Sequence, residues 1–408
     1  MNPPFPTRID FEQALTILVR AAEERRLDSE RVPLQRALGR VLAADLVAAL
    51  ALPGFDNAAM DGFAVCGLPM PAQGWALVGE QFAGADRALR LQPGQCLRIT
   101  TGAPVPAGAD AVLIKEDARE QDGRVLTDAL VSVAANIRRA GEDVQPGQRV
   151  LATGQVLTPA RIGLAAALGE AELEVARRPT VAVFTTGDEL RPPGQRLAPG
   201  ELHDSNRPLL QALLQAEGLE PMAWPILPDD PAMLASALAD AAAAFDLVIT
   251  CGGVSAGEKD HLPALLQQHG RLHFWKVRMK PGMPVLLGSW NRALVLGLPG
   301  NPVSALATFI AFARPLIDAL QGRGEPRPVW TARLAAAVSK RHGRREFLRG
   351  RLRADAAGQM WVDPDPVTGS HRLAAAAGAD VLIDLAEGHG EFPEGAPVRC
   401  LPCAPGRG

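Results

Sequence analysis

Residues 245–260 read FDLVITCGGVSAGEKD, and this stretch decides the fold. Leu247 to Cys251 form a short, largely apolar run, the pattern of a buried strand. The run ends in Gly252-Gly253, then a serine, another glycine and an acid–base–acid trio. A strand that closes on paired glycines offers backbone N–H groups at the C-terminal edge of a sheet, where open α/β folds bind ligands. Glycine allows the close backbone approach that an anionic group requires. Ser255 adds a hydroxyl, and Glu258 and Asp260 suit a divalent cation held against a phosphate. Gly-Gly alone also fits an ordinary strand–turn–helix corner, but a plain turn does not need the trailing Ser-x-Gly-Glu-x-Asp.

Outward from that stretch, strands and helices alternate from Pro179 onward. The runs VAVFTT, FDLVITCG and ALVLGLPG are separated by RPLLQALLQAEG, DPAMLASALADAAAAF and PVSALATFIAFARPLIDAL at helical spacing. Such alternation predicts an α/β fold with a doubly wound parallel sheet covered on both faces. Further polar groups fall at its strand ends. Gly187-Asp188-Glu189 follows the first strand, and Asn301-Pro302-Val303-Ser304 opens the last helix, where free N–H groups favour anions. Asp229-Asp230-Pro231 is an acidic pair in which the residue before proline reads as a helix cap. Lys276 and Lys280 stand four apart in FWKVRMKPGMP; in an extended segment that spacing puts both on one face, converging on an anion.

The N-terminal half differs. Residues 9–26 carry a helical period with Asp10 as N-cap, and VPLQRALGRVLAADLVA predicts a short helix leading into a strand. Residues 48–146 show short β-like runs separated by Gly and Pro, as in a small, mostly β domain. LPGFDNAAMDGFAV, residues 52–65, holds Asp56, Asn57 and Asp61 among small residues. It reads equally as an Asx-turn cluster or as a segment carrying Asp61 into a cleft made with another domain or subunit. Thr100-Thr101 and Arg138–Asp143 have the same style. Past the Gly/Pro/Arg-rich QGRGEPRPVW, short strands predict a C-terminal β domain.

Composition excludes several classes. The 408 residues are 47% hydrophobic and 21% charged with net charge −3, which gives no pull towards nucleic acid or anionic membrane. No signal-peptide layout or uninterrupted transmembrane run is present, so a cytoplasmic protein is expected. The five scattered cysteines argue against a disulfide framework, and Cys400 and Cys403, although spaced CxxC, lack a second pair or a nearby histidine. No two histidines have metal-binding spacing.

Taken together, PGFDNAAMDGFAV, TGAPVP, RRAGED, TTGDEL, CGGVSAGEKD, FWKVRMKPG, GLPGNPVSA, FLRG and GSH, in this order, resemble the molybdenum insertase (molybdopterin molybdenumtransferase) family, whose eukaryotic relatives include the C-terminal domain of gephyrin. The resemblance covers nearly the whole chain. It implies an elongated homodimer of discontinuous subunits with four domains: 28–47 with 147–178, mixed; 48–146, mostly β; 1–27 with 179–327, the molybdopterin-binding-like sheet; and 328–408, a β-barrel. It also implies that molybdate enters the dithiolene of adenylylated molybdopterin and that AMP is released.

Carried onto this chain, the catalytic set is Asp61, Glu189, Asp229, Asp260, Lys276 and Lys280. Thr101, Asp143, Gly252, Gly253, Ser255, Asn301, Pro302 and Ser304 would hold the pterin substrate. Lys280, Ser255, Arg349 and Ser370 would bind molybdate, and Glu189 and Asp260 would hold Mg²⁺ on the phosphate link. The attacking oxygen would come from molybdate or water. One departure is Met283, where the family often has a second lysine. Two other readings remain open: a catalytically weak pterin-binding scaffold, and a molybdopterin adenylyltransferase, which needs only residues 179–327.

Overall fold

A computed structural model describes residues 5–254, 260–366, 369 and 371–404. Its centre is a seven-stranded sheet in the order Thr7–Ile9, Arg271–Val277, Leu286–Trp290, Ala293–Leu298, Leu247–Cys251, Val181–Thr185, Met222–Ala223. Every strand but one runs the same way. Leu286–Trp290 is antiparallel to both neighbours and forms a hairpin with Ala293–Leu298. The parallel sheet expected from the sequence is therefore a mixed one.

The central strands are apolar throughout because both faces are covered. Val181 and Val183 pack on one side with Phe11, Leu210 and the helix Pro302–Leu320. Ala182 and Phe184 point to the other side, against Leu234, Leu238 and Leu265. Pro302–Leu320 is long and apolar enough to cross a membrane, yet 83% of its most apolar 18-residue window is buried inside the fold, where a π turn at Phe309–Ala313 interrupts it. Asp10 caps the helix Phe11–Glu23 through Gln13 N–H at 2.7 Å, and Asp230 caps Pro231–Ala244 through Met233 N–H at 2.8 Å, as their spacing predicts.

Ahead of the central sheet, Ser29–Pro33 pairs with Glu172–Ala176 and Leu46–Val47 with Arg149–Leu151, so chain on either side of residues 48–146 shares one small core. The helix expected after Val32 is only a 3₁₀ turn, Leu34–Arg36. Between these halves lies a six-stranded, largely antiparallel sheet built from Gly62–Val65, Trp75–Gln81, Gln95–Ile99, Ala111–Ile114, Arg119–Gln121 and Arg124–Leu126. At the C-terminus, Trp330–Leu334, Arg345–Ala354, Met360–Pro364, Val381–Leu385 and Pro397–Pro402 close into a barrel, because Arg345–Ala354 also pairs with Val381–Leu385. Burial raises the Cys400 and Cys403 thiols to about 11 and about 12, away from the reactive thiolate form.

One short pairing joins centre and barrel. Met279–Lys280 runs parallel to Arg345–Glu346, which sets a segment between two central strands against the barrel strand Arg345–Ala354.

Candidate functional site

The first half of the site is the C-terminal edge of the central sheet. Leu247–Cys251 ends in Gly252, whose φ of +102° suits glycine, and Gly253 follows at +68°. A Cβ on Gly252 would lie 2.7 Å from Thr186 Oγ1 and 2.9 Å from the Thr186 carbonyl oxygen, so only a bare backbone fits there. The adjacent strand end is tied across by a buried network. Thr185 Oγ1 donates to Asp204 at 2.7 Å, and Asp204 accepts the N–H groups of Asn206 and Arg207, each at 3.1 Å. Asn206 Nδ2 in turn donates to the Gly300 carbonyl at 2.6 Å. Near this edge Thr186 Oγ1, Thr250 Oγ1 and Asn206 Oδ1 are buried without a hydrogen-bond partner among the described residues.

Acidic side chains flank the edge. Asp188 and Glu189 follow Val181–Thr185, and Asp188 Oδ1 accepts the Asp229 N–H at 3.1 Å, which joins two expected acidic groups. A cavity of about 440 Å³ opens beside Gly187, Asp188 and Arg207. Among the described residues no three His, Cys, Asp or Glu side chains cluster to hold a metal. Ser255, Glu258 and Ser370 lie outside the described residues.

The second half lies between sheet and barrel. A cavity of about 380 Å³ is lined by Lys280, Met283, Asn301, Ser304, Glu346 and Arg349, among others. Pro302 fixes the first turn of the helix, so Asn301 and Ser304 sit at its mouth. Lys280 Nζ is 2.8 Å from Glu346 Oε1, and Arg349 Nε donates to Asp365 at 2.9 Å. Both cations are thus held on the cavity wall. Lys276 is not on that wall. The backbone turns to φ +66° at Lys276, so the period of two breaks, and Lys280 belongs to the barrel's sheet. The Lys276 ammonium stacks on Trp275, 4.1 Å from the ring centroid, while Trp275 Nε1 donates to the Val254 carbonyl at 2.8 Å. The shared lysine face expected from the spacing is therefore not formed.

Asp61 and Thr101 form a separate pair, and Asp143 is bonded elsewhere in the same region. Asp61 Oδ1 accepts the Thr101 amide at 2.7 Å and its hydroxyl at 2.8 Å. These two bonds, amide first, hold the Asp61 carboxyl below its ordinary range, with a smaller contribution from Lys115. Asp56 is fixed by Ala140 N–H and by Arg139 at 2.5 Å, and Asp143 N–H donates to the Leu52 carbonyl at 3.0 Å. All these bonds stay within residues 48–146, and among the described residues no hydrogen bond ties Asp61 to the sheet edge.

Sequence reasoning missed Asp204, Asn206, Glu346 and Asp365. Asp-Ser-Asn ahead of RPLLQALL is a helix-start signal that points to Asp204 and Asn206. Glu346 and Asp365 carry no local signal, because their partners come from the fold.

Three family models match in chain order: the MoeA N-terminal region (domain I and II) over 9–169, a probable molybdopterin binding domain over 182–319, and the MoeA C-terminal region (domain IV) over 331–403. The molybdopterin molybdenumtransferase of Haemophilus influenzae is 38% identical, covering 92% of this chain and 94% of its own. Molybdopterin molybdenumtransferase 2 of Mycobacterium tuberculosis is 41% identical over 87% and 90%. Among solved structures, the molybdopterin biosynthesis moeA protein from Pyrococcus horikoshii OT3 superposes with a TM-score of 0.82 at 26% identity, covering 96% and 99%.

Proposed function

The chain belongs to the molybdopterin molybdenumtransferase family, and from that premise we propose that it inserts molybdate into adenylylated molybdopterin and releases AMP, the final step of molybdenum cofactor biosynthesis. The observation that carries this reading is the position of the cavity. Lys280, Arg349, Asn301 and Ser304 line one space of about 380 Å³, next to the corner where Gly300 packs against Gly252. A dianion suits the two cations, and a phosphorylated pterin suits the glycine edge and helix start.

In this reading Gly252, Gly253, Asn301 and Ser304 orient the phosphate link, while Lys280 and Arg349 hold molybdate beside it. An oxygen of molybdate or water attacks phosphorus, the bond to the bridging oxygen breaks and AMP leaves, so no side chain is the nucleophile. Mg²⁺ fits the donor set. It needs only one or two carboxylates when phosphate and water supply the rest, and the Glu189 carboxylate has no hydrogen bond or ion pair among the described residues. Glu189 and Asp260 would hold the ion, which would neutralise developing charge on the phosphate oxygens.

The same proposal takes the protein as a cytoplasmic homodimer of four-domain subunits. Among the described residues Asp61 and Thr101 bond within their own region, which favours a cleft completed by a second copy. The test is AMP release by the purified protein from adenylylated molybdopterin, expected only when molybdate is supplied. AMP release without molybdate, or ATP consumption with metal-free pterin, would replace this reading by a nucleotidyl-transfer one.

A further inference from the structure

On the cavity wall Glu346 links Lys280 to His342 behind it, and the insertase reading uses neither Glu346 nor His342. Glu346, 5% exposed, sits near the start of the barrel strand Arg345–Ala354. Its Oε1 is 2.8 Å from Lys280 Nζ, and its Oε2 is 3.2 Å from His342 Nε2. The two contacts are unequal. The lysine contact is a close ion pair, whereas the histidine contact is off the N–H direction. Both ring nitrogens of His342 are buried and have no hydrogen-bond partner among the described residues. A buried imidazole left unpaired is costly, and Glu346, engaged with Lys280, is the carboxylate within its reach.

An oxyanion that enters the cavity competes with Glu346 for the same ammonium group. We propose that Glu346 is a positioning residue that yields Lys280 to the incoming oxyanion and turns to His342, which takes up one proton from solvent as it does so. This rests on the insertase reading of the cavity. The exchange balances: the Lys280–Glu346 pair is replaced by a Lys280–oxyanion pair and an imidazolium–Glu346 pair, at the cost of one solvent proton. Histidine is the side chain suited to such a change near neutrality.

The surrounding charges are accounted for. Lys340 is committed to the carbonyls of His342, Arg344 and Gly388, and Glu387 is paired with Arg278. Arg345 is committed to Asp384 and Glu12, and Arg349 to Asp365. Arg344 adds a further cation to the wall, while the helix start contributes the neutral Asn301 and Ser304.

Titration calorimetry with sodium molybdate, near neutral pH and in two buffers of different ionisation enthalpy, tests the exchange on the full chain. The wild type is expected to take up protons as it binds molybdate. Glu346→Gln should bind several-fold more tightly, because the competitor has lost its charge, and without proton uptake. His342→Gln should bind several-fold more weakly, also without uptake, and serves alone should the first variant not fold. A buffer-independent enthalpy in the wild type, or proton uptake that persists in either variant, overturns the proposal. If the wild type binds no molybdate, the insertase reading of the cavity falls, whereas molybdate-dependent AMP release tests that reading separately.

Discussion

Thr185 donates its hydroxyl to the buried carboxylate of Asp204 at 2.7 Å, and this bond locks the end of one central strand to the start of the next helix. Asp204 is 1% exposed and also takes two backbone N–H groups. Asp204→Ala leaves those donors unpaired, at about 2–4 kcal/mol. Urea unfolding should show that loss, with Thr185→Ala costing less. A change below about 1 kcal/mol would mean the network does not hold the strand edge.

Gly252→Ala is expected to damage binding more than folding. The added Cβ would sit 2.9 Å from a backbone oxygen and at φ +102°, so the loop must move. The KM for adenylylated molybdopterin should rise about tenfold or more, with the melting temperature lowered only modestly, because the shift is confined to the loop. An unchanged KM would remove this corner from the substrate site.

How far the sequence revealed this arrangement depended on the range of the interactions. Leu247–Cys251 and Val181–Thr185 are legible because strands covered on both faces must be apolar along their length. The caps at Asp10 and Asp230 are legible because they act within three residues. Leu286–Trp290 was hidden behind Pro281 and Pro284, and its antiparallel direction is set by a turn at Asn291 that adopts φ +48°. The positive φ at Lys276 likewise defeats a period-two reading of FWKVRMKPG. Glu346 was invisible for a deeper reason. Its role depends on Lys280, brought to it by a two-residue pairing between domains that no local pattern encodes.

Asp61 should matter for activity and hardly at all for stability. It is exposed and bonded to Thr101 within its own region. Asp61→Asn is expected to lower kcat on the order of a hundredfold while the melting temperature stays put. If a second copy completes the cleft, mixed dimers of Asp61→Asn with Lys280→Ala contain one site free of either change. Co-expressing the two inactive variants should then restore about a quarter of wild-type activity. Recovery of none would place Asp61 in the same subunit's site or outside it.

Arg161 and Glu325 should govern part of the acid sensitivity. Arg161 grips both carboxylate oxygens of Glu325, at 2.5 and 2.8 Å, and Val156 N–H adds a third bond at 3.0 Å. Arg161 first, then Val156, holds the Glu325 carboxyl down at about 2, against 4.5 ordinarily. A depressed carboxyl stabilises the fold above its unfolded value and loses that contribution as pH falls towards the folded one. With the pair about a third exposed, the contribution is about 1–2 kcal/mol after screening. Urea midpoints of wild type and Glu325→Gln should differ at neutral pH and converge as pH drops from 4.5 towards 2. A gap of constant size across that window would show that the ion pair contributes nothing there.

Met283→Lys should strengthen oxyanion binding. The thioether lines the cavity beside Lys280, where it gives no charge to a dianion. An ammonium about 4 Å from a bound charge is worth about 4 kcal/mol at an intermediate effective dielectric, much of it offset by desolvation and by repulsion from the lysine already there. A net gain of about 1.4 kcal/mol corresponds to a tenfold lower KM for molybdate. The gain should shrink with added salt, as expected for a partly open site. Glu346 also faces the cavity and limits the gain by attracting the new cation to itself. Met283→Lys combined with Glu346→Gln should therefore bind molybdate more tightly than either single change. A KM for molybdate that ignores Met283→Lys at low salt would mean the dianion does not occupy this cavity.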